Sequence, residues 1–198
     1  MPLHIFEPRY RQLIDDIADA PEDERGFGIV AIRDGHEVGS DGVRALHEIG
    51  TFASLREVQM HPDGRSDIVT VGTERFRLHR LVEGKPYVQA EVEILDESEG
   101  VGAPALARAV HEQFMAYRER LSDESDETEL PDDPRVLSYL VAAAVVADLP
   151  TRQGFLAAAD DSDRLRAESG FLRSENAILD HLPSLPATDL AQEPFGVN

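Results

Sequence analysis

The residues best suited to acid–base or metal chemistry in this chain are its seven histidines and its many carboxylates. The histidines are His4, His36, His47, His61, His79, His111 and His181. No two of them show the H-x-x-x-H or H-E-x-x-H spacing that places two imidazoles on one helix face to bind zinc. Adjacent acids such as Asp15-Asp16 and Asp160-Asp161 are better explained as helix surface and helix caps, because 39 acidic residues form such pairs without catalytic need. We therefore predict no metal site and no catalytic residues.

Motifs for nucleotide and nucleophile chemistry are missing from the sequence as well. It contains no G-x-x-x-x-G-K-[ST] loop, no G-x-G-x-x-G turn opening a helix and no G-x-S-x-G elbow. It contains no cysteine, which excludes thiolate chemistry and a disulfide framework. We predict that the protein is not an enzyme and holds no cofactor.

The net charge of −20 limits the classes of partner. A protein that binds nucleic acid neutralises phosphates with lysine and arginine, whereas this chain has 19 such residues against 39 acidic ones. The average charge therefore opposes binding to DNA, RNA or anionic membranes. One local basic cluster, at Arg75, Arg77, His79 and Arg80, alternates along a predicted strand, so only some of its members can share a face.

Composition also bears on location. The absence of cysteine fits a reducing cytosol, and the first residues lack the basic-then-apolar pattern of a signal peptide. The longest unbroken apolar run, Tyr139 to Ala147, is too short to cross a membrane and is typical of a buried helix. We predict a cytoplasmic protein.

The first half of the chain is predicted to combine one helix with a small β-structure. Apolar residues recur at helical spacing from Tyr10 to Ile17, directly after Pro8, which is favourable in a first helical turn. Between residues 26 and 95, short alternating runs separated by turn signals such as Pro62-Asp63-Gly64 predict a mostly antiparallel barrel or sandwich.

Two of these runs predict strands with one apolar face. In FRLHRLV, Phe76 and Leu78 are expected to face inward, and less strictly Leu81 or Val82. In YVQAEVEIL the alternating apolar residues are Val88, Ala90, Val92 and Ile94.

The second half is predicted to be helical. Asp133 and Pro134 are expected to cap and begin a buried helix from about Arg135 to Ala147, because this segment is apolar nearly all round. We expect three parts in the chain: a β-barrel domain over residues 1–98, a helical subdomain over 104–182 and a disordered tail over 183–198. The acidic segment Asp123–Asp133 is predicted to be a mobile loop.

Several segments, in order, resemble the LON substrate-binding domain, the N-terminal domain of ATP-dependent Lon proteases. The opening PLHIFEPRYRQL is similar to that family's signature, and GRSDIVTVGTERFRL is similar to its Gly-Arg and Gly-x-x-Arg-Phe hairpin. EIGTFASLREV, PYVQAEVEIL and the helical segment from Ser138 onward extend the resemblance over nearly all of residues 2–182.

The resemblance implies an α+β fold, with a PUA-like β pseudobarrel followed by an α-helical bundle. It implies a non-catalytic module that binds unfolded or exposed polypeptide segments without ATP, as a substrate-recognition or adaptor domain. The ATPase and peptidase modules of Lon proteases are missing here, so the chain resembles a stand-alone bacterial form. Family members normally carry an apolar strand before the signature, which leads us to expect that the native chain starts upstream of Met1. A sheet edge left open in this way would favour homo-oligomers.

Glu7, Arg9, Tyr10 and Arg75 carry the most specific part of the resemblance and are our candidate polypeptide-binding residues. The alternative is structural: Glu7 near a helix N-terminus, Arg75 paired with it, and Tyr10 in the core. If they are functional, they would form a polar patch at the mouth of the barrel.

Other classes of function stay open at this point. PUA-like barrels include nucleic-acid binders, which the charge of −20 disfavours. An enzyme has no supporting constellation of residues. The small-molecule site of cereblon, another protein with a LON domain, lies in a domain that this chain lacks. A polypeptide partner is therefore the favoured prediction, and its route is either strand addition at a sheet edge or an apolar groove.

Overall fold

The computed structural model describes residues 1–21, 24–35, 43–121 and 129–181. The strands are β1 (Pro2–Ile5), β2 (Gly26–Ile29), β3 (Ile32–Gly35), β4 (Val43–Leu46), β5 (Ile49–Met60), β6 (Ser66–Val82) and β7 (Gln89–Ile94). The helices are α1 (Pro8–Ala18), α2 (Ala103–Leu121), α3 (Pro134–Ala144), α4 (Leu149–Leu156) and α5 (Asp161–His181). The predicted tail over 183–198 and most of the predicted acidic loop lie outside the described residues.

The chain divides into two compact units. The first contains Met1–Ser98 together with Ala147–Ala158, and the second contains Glu99–Val146 together with the chain from Ala159 onward. The predicted domain bounds of 1–98 and 104–182 stay predictions. Helix α4, which the sequence analysis grouped with the other helices, belongs to the first unit.

The sheet of the first unit is organised around the long strand β6. The order of its strands is β1-β6-β5-β2, all antiparallel, and β7 pairs with β6 as well. The turn from β5 to β6 is the predicted Pro62-Asp63-Gly64 turn, in which Gly64 adopts a φ of 80° that other residues rarely tolerate. Strands β3 and β4 form a separate two-stranded hairpin.

Helix α1 packs its apolar stripe on one face of this sheet, as its periodicity predicts. Ile14 of the helix is buried together with residues of three strands, namely Ile5, Leu55 and Ile68. Tyr10 and Ile17 pack against the same cluster one turn away on either side of Ile14. The helix begins at Pro8, a residue that is favourable in a first helical turn. This start returns the apolar face of the helix to the strands.

Helix α4 is held in the first unit by polar contacts of strands β5 and β6. The Arg75 guanidinium donates from Nη1 to the carbonyl oxygens of Leu156 at 2.8 Å and Ala158 at 2.6 Å. Gln153 donates from Nε2 to the carbonyl oxygen of Ile49 at 2.9 Å. The Arg75 contacts satisfy carbonyl groups that a helix C-terminus leaves without partners, and the Gln153 contact ties the helix to β5.

The second unit is a three-helix arrangement of α2, α3 and α5. Its core includes Phe114, Leu137, Val141, Leu165 and Leu172, each 2% exposed or less. The predicted cap of α3 is confirmed.

Two capping aspartates and one tyrosine set the ends of these helices. Asp133 accepts from the backbone N–H of Val136 at 2.9 Å, and Asp160 accepts in the same way from Asp163 at 2.8 Å. Helix α3 ends at Ala144 rather than near Ala147, because Val145 turns to extended backbone and the Tyr117 hydroxyl accepts from the next N–H.

The apolar face predicted on β7 is only partly buried. Phe76 is buried opposite Ile94, and Leu78 is half-buried opposite Val92. However, Val92 and Ile94 are themselves exposed by more than two fifths. Alternation fixed which side chains share a face, whereas packing depends on what covers that face. Among the described residues, no helix is long and apolar enough to cross a membrane.

Candidate functional site

Strand β6 has an open stretch between the two strands that pair along one of its sides. Strand β5 follows the other side from residue 66 to residue 77, so β1 (at 66–69) and β7 (at 76–82) lie on the same side of β6. Between them no described strand pairs with residues 71–74 on this side of β6, and all four residues are exposed. We call residues 71–74 the open edge.

The direction of the backbone groups at the open edge follows from their neighbours. The N–H of Thr70 donates to the carbonyl of Met1 at 2.9 Å, and the carbonyl of Arg75 accepts from Leu95 at 2.9 Å. Since backbone groups alternate sides along a strand, the N–H and C=O of Gly72 point to the same side as those of Thr70. A β-bulge follows, because Phe52 pairs with Glu74 whereas its neighbour Ala53 pairs with Gly72, which leaves one extra residue on β6. The extra residue shifts the alternation by one position, so the carbonyl of Arg75 also points to this side.

A shallow groove of 440 Å³ adjoins the open edge. It is lined by Pro2, Leu3, His4, Glu57, Val58, Gln59, Asp67, Ile68 and Val69. Two rows of paired residues run across β1, β6 and β5 here. The first row is Pro2, Val69 and Glu57, and the second is His4, Asp67 and Gln59. Residues that pair directly across antiparallel strands share a face, so each row combines apolar or aromatic-ring surface with a carboxylate.

Asp67 is bracketed by two histidines in this groove. His4 Nδ1 lies 2.6 Å from Oδ1 of Asp67, and His61 Nε2 lies 2.7 Å from Oδ2. Hydrogen bonding from His4 and then His61 lowers the pKa of Asp67 below its usual value. Asp67 therefore stays a carboxylate at neutral pH although its side chain is only half exposed.

Exposed apolar side chains surround the groove. Phe6 is 58% exposed and stacks on the His4 ring with centroids 6.2 Å apart. Val71, at the start of the open edge, is 47% exposed, and Val58 is 41% exposed. Open backbone and apolar side chains at one place are the two features that β-strand addition uses.

The structure brings three of the four predicted site residues together. Glu7 is the N-cap residue of α1, but its side chain makes no cap hydrogen bond and instead accepts from Arg9 Nε at 2.9 Å. The Arg9 guanidinium lies over the Tyr10 ring, 4.5 Å from its centroid. Tyr10 also packs against the apolar cluster below α1. These residues lie at the start of α1, beyond the end of strand β1 at Ile5, and none of them lines the groove.

Arg75, the fourth predicted residue, occupies a separate and buried place. It is 3% exposed and pairs through Nε with Oε1 of Glu97 at 2.6 Å, in addition to its contacts with α4. Glu7 therefore pairs with Arg9, and Arg75 pairs with Glu97. Burial also removes Arg75 from the basic cluster considered for nucleic acid, and Arg80 pairs with Glu91 on β7.

Sequence reasoning missed the groove. Its polar members, His4, Glu57, Gln59 and Asp67, are spread over 64 positions, and no motif joins them. The signal was the alternation of β1 and β6, which puts His4 and Asp67 on the outer face, but the register was needed to pair them. In the part of the chain that the structure describes, no group of three metal-ligating side chains could hold a metal ion.

Comparison with known proteins places this fold. The family model for the ATP-dependent protease La (LON) substrate-binding domain matches residues 1–174. The chain is 32% identical over 145 residues to a Lon protease of Phenylobacterium zucineum, covering 70% of this chain and 18% of that protein. It is 24% identical over 161 residues to Lon protease 2 of Syntrophobacter fumaroxidans, covering 79% and 20%. The chain thus spans about a fifth of the length of these relatives.

Two solved structures share the fold at 19% identity. A Lon N-terminal domain protein from Xanthomonas campestris superposes with a TM-score of 0.58, covering 92% of this chain and 89% of that one. The N-terminal domain of the Mycobacterium avium complex Lon protease superposes with a TM-score of 0.60, covering 92% and 91%. The predicted α+β fold, a PUA-like pseudobarrel followed by helices, is confirmed.

Proposed function

Because this chain belongs to the family of LON substrate-binding domains, we propose that it binds extended segments of other polypeptides by strand addition at the open edge of β6. It does so without ATP and without catalysing a reaction, as a substrate-recognition or adaptor module. The observation that carries this proposal is the open edge of β6, where no described strand pairs on the side of β1 and β7, together with the adjoining groove.

The length of the open edge limits the length of the polypeptide segment that can pair with it. Four residues of a strand span roughly 13 Å, so a segment of about four residues would fit between β1 and β7. Gly72 offers one donor and one acceptor, and it has no side chain that would crowd an entering strand. Since so few backbone bonds form, contacts with exposed apolar residues such as Val71 must supply the remaining affinity.

Folded proteins present few such segments. Their backbone groups are already paired and their apolar residues are buried, whereas an unfolded chain exposes both. The proposal therefore predicts a preference for unfolded over folded forms of the same protein. Nucleic acid is opposed by the net charge and by the burial of Arg75, and a cytoplasmic location remains a prediction.

Fluorescence anisotropy tests the proposal directly. A labelled, permanently unfolded polypeptide is titrated with this protein, and its folded parent is the control. We expect binding to the unfolded form alone. Equal binding to both forms, or none to either by protein shown to be folded by circular dichroism, would contradict the proposal.

A matched pair of variants locates the site. Val71→Ser removes an exposed apolar side chain at the open edge, and Val101→Ser makes the same change at a side chain that is 91% exposed in the second unit. We expect weaker binding from the first variant and no change from the second. Two peptides, each N-methylated at every second residue but at alternate sets of positions, add a backbone test. Methylation of the N–H groups that face β6 should abolish binding, and methylation of the other set should not.

A second copy of this chain is another source of a strand, because an unpaired edge is a template for self-association. Sedimentation velocity over a hundredfold range of concentration tests the predicted homo-oligomer. If copies pair at the open edge, Val71→Ser should weaken both self-association and polypeptide binding. The predicted contact residues Glu7, Arg9 and Tyr10 are tested in the same anisotropy assay.

A further inference from the structure

The groove beside the open edge carries charge of one sign. None of the nine residues that line it is lysine or arginine, whereas Glu57 and Asp67 both contribute carboxylates. Glu57 is exposed and has no ion-pair partner among the residues that the structure describes. Its carboxylate is therefore available to a ligand without breaking a contact of the protein.

The two carboxylates both lie next to the apolar side chain of Val69. Glu57 pairs in register with Val69, and Val69 pairs in turn with Pro2 of β1. Asp67 lies two residues before Val69 on the same face of β6. A side chain lying in the groove would thus contact apolar surface along its length and meet a carboxylate at its end.

Lysine and arginine are the side chains that combine an apolar stem with a positively charged end. Their methylene stems bury well against apolar surface, and their charged heads remain beside solvent and anions. A net charge of −20 also attracts cationic segments at long range. Acidic segments would be repelled by the groove and by the protein as a whole.

We propose that the groove selects extended apolar segments that carry a lysine or arginine at a position facing it. The inference rests on the proposed polypeptide binding and names its substrate class. The cation seats its stem on Val69 and Pro2 and its head near Glu57, with Asp67 as the second anion.

Three peptides that differ at one residue test the selectivity. Each has the same apolar extended sequence with lysine, norleucine or glutamate at the position that faces the groove. Exposed ion pairs contribute modestly, so we expect lysine to bind about two- to fivefold more tightly than norleucine. Glutamate should bind more weakly than norleucine, and the differences should shrink as salt is raised.

A matched pair of variants separates the groove from the overall charge. Glu57→Gln and Glu112→Gln each remove one negative charge, and Glu112 is exposed on α2 in the second unit. The lysine preference should fall in the first variant and persist in the second. Equal loss in both variants would show that net charge alone produces the preference, and the inference would be wrong.

The failure of this inference can be distinguished from the failure of the proposed function. Equal affinity for all three peptides overturns the cation selectivity but leaves polypeptide binding in place. Absence of binding for all three, from protein that is folded, overturns both.

Discussion

Arg75 donates a hydrogen bond to the backbone carbonyl of Leu156, 81 residues later in the chain. One side chain of the Gly-Thr-Glu-Arg-Phe segment therefore ends helix α4 and joins it to strand β6. Arg75 was a candidate for polypeptide contact. Its position favours a structural role, although its carboxylate partner is Glu97 and not Glu7, the partner that the sequence analysis considered. The choice between these roles is experimental.

Replacing Arg75 should destabilise the first unit. Its side chain is 4% exposed, and Arg75→Ala leaves Glu97 and the carbonyl groups of Leu156 and Ala158 without this donor. Breaking a buried ion pair typically costs about 3–5 kcal/mol, so we expect a loss of that order in the free energy of unfolding, measured by urea denaturation.

Arg77→Lys, two residues along the same strand at an exposed position, serves as the control for Arg75→Lys. Only Arg75→Lys should be destabilising, since lysine cannot reproduce the two-pronged guanidinium geometry. A stable Arg75→Lys protein that no longer binds unfolded polypeptide would instead assign Arg75 to the binding site.

Asp16 should make the first unit sensitive to acid. Lys85 at 2.9 Å, Tyr87 at 2.7 Å and Gln12 all donate to its carboxylate, and these hydrogen bonds lower the pKa of Asp16 to about 2. A carboxyl group with a lowered folded-state pKa stabilises above its unfolded pKa, and this contribution disappears as the pH falls through the folded value.

Asp16→Asn should therefore flatten the stability profile between about pH 4 and pH 2, the interval between the two pKa values of Asp16. Thermal unfolding in this range, compared with Asp15→Asn at the neighbouring exposed position, measures the effect. Parallel profiles for wild-type protein and Asp16→Asn would refute the assignment.

Glu168 should make the second unit less stable as the pH rises. It is fully buried in α5, neither carboxylate oxygen has a hydrogen-bond partner, and burial raises its pKa to about 9 despite the nearby charge of Arg164. Between the unfolded pKa near 4.5 and the folded value, the unfolded state releases a proton that the folded state keeps. Stability must fall over this interval.

Glu168→Gln removes the titration and keeps the shape of the protonated acid. We expect similar stability to the wild-type protein near pH 5 and a gain on the order of 3 kcal/mol near pH 8. Denaturant titrations at both values measure it, and Glu175→Gln on the same helix is the control. A constant difference between wild type and variant at both pH values would contradict a raised pKa.

Gly50 should be intolerant of any side chain. A Cβ there would lie 2.5 Å from the Phe76 ring and 2.7 Å from the carbonyl oxygen of Ile29. Such overpacking typically costs about 1–3 kcal/mol, so Gly50→Ala should lower the melting temperature by several degrees.

Gly154 in α4 offers the opposite case, because nothing lies within 4 Å of an added Cβ. Gly154→Ala should raise the stability by about 0.5–1 kcal/mol through helix propensity. If both alanine variants shifted the melting temperature equally, close packing would not explain the Ile-Gly-Thr segment.

The sequence predicted helix starts and strands correctly where nearby residues determine them. The opening helix begins at Pro8, and α3 begins after an Asp133 cap. Both follow from residues within one turn, since caps and first-turn prolines act on nearby backbone groups. Alternation likewise identified β6 and β7, because the side-chain period of a strand is a property of the strand itself.

The site depended on relationships that no local pattern encodes. His4 and Asp67 meet because β1 and β6 pair in one register, and a shift of β1 by one residue would turn His4 to the face opposite Asp67. The apolar alternation of β7 likewise could not show that Val92 and Ile94 remain exposed.

The sequence by itself therefore determined the element types, the charge that opposes polyanions and the family. Only the tertiary structure decided that Arg75 is buried under α4, that Glu7 pairs with Arg9, and that β6 keeps an open edge beside an acidic groove. The physical reason is distance along the chain. Propensities, caps and periodicity act over a few residues, whereas strand register and burial depend on contacts between residues tens of positions apart.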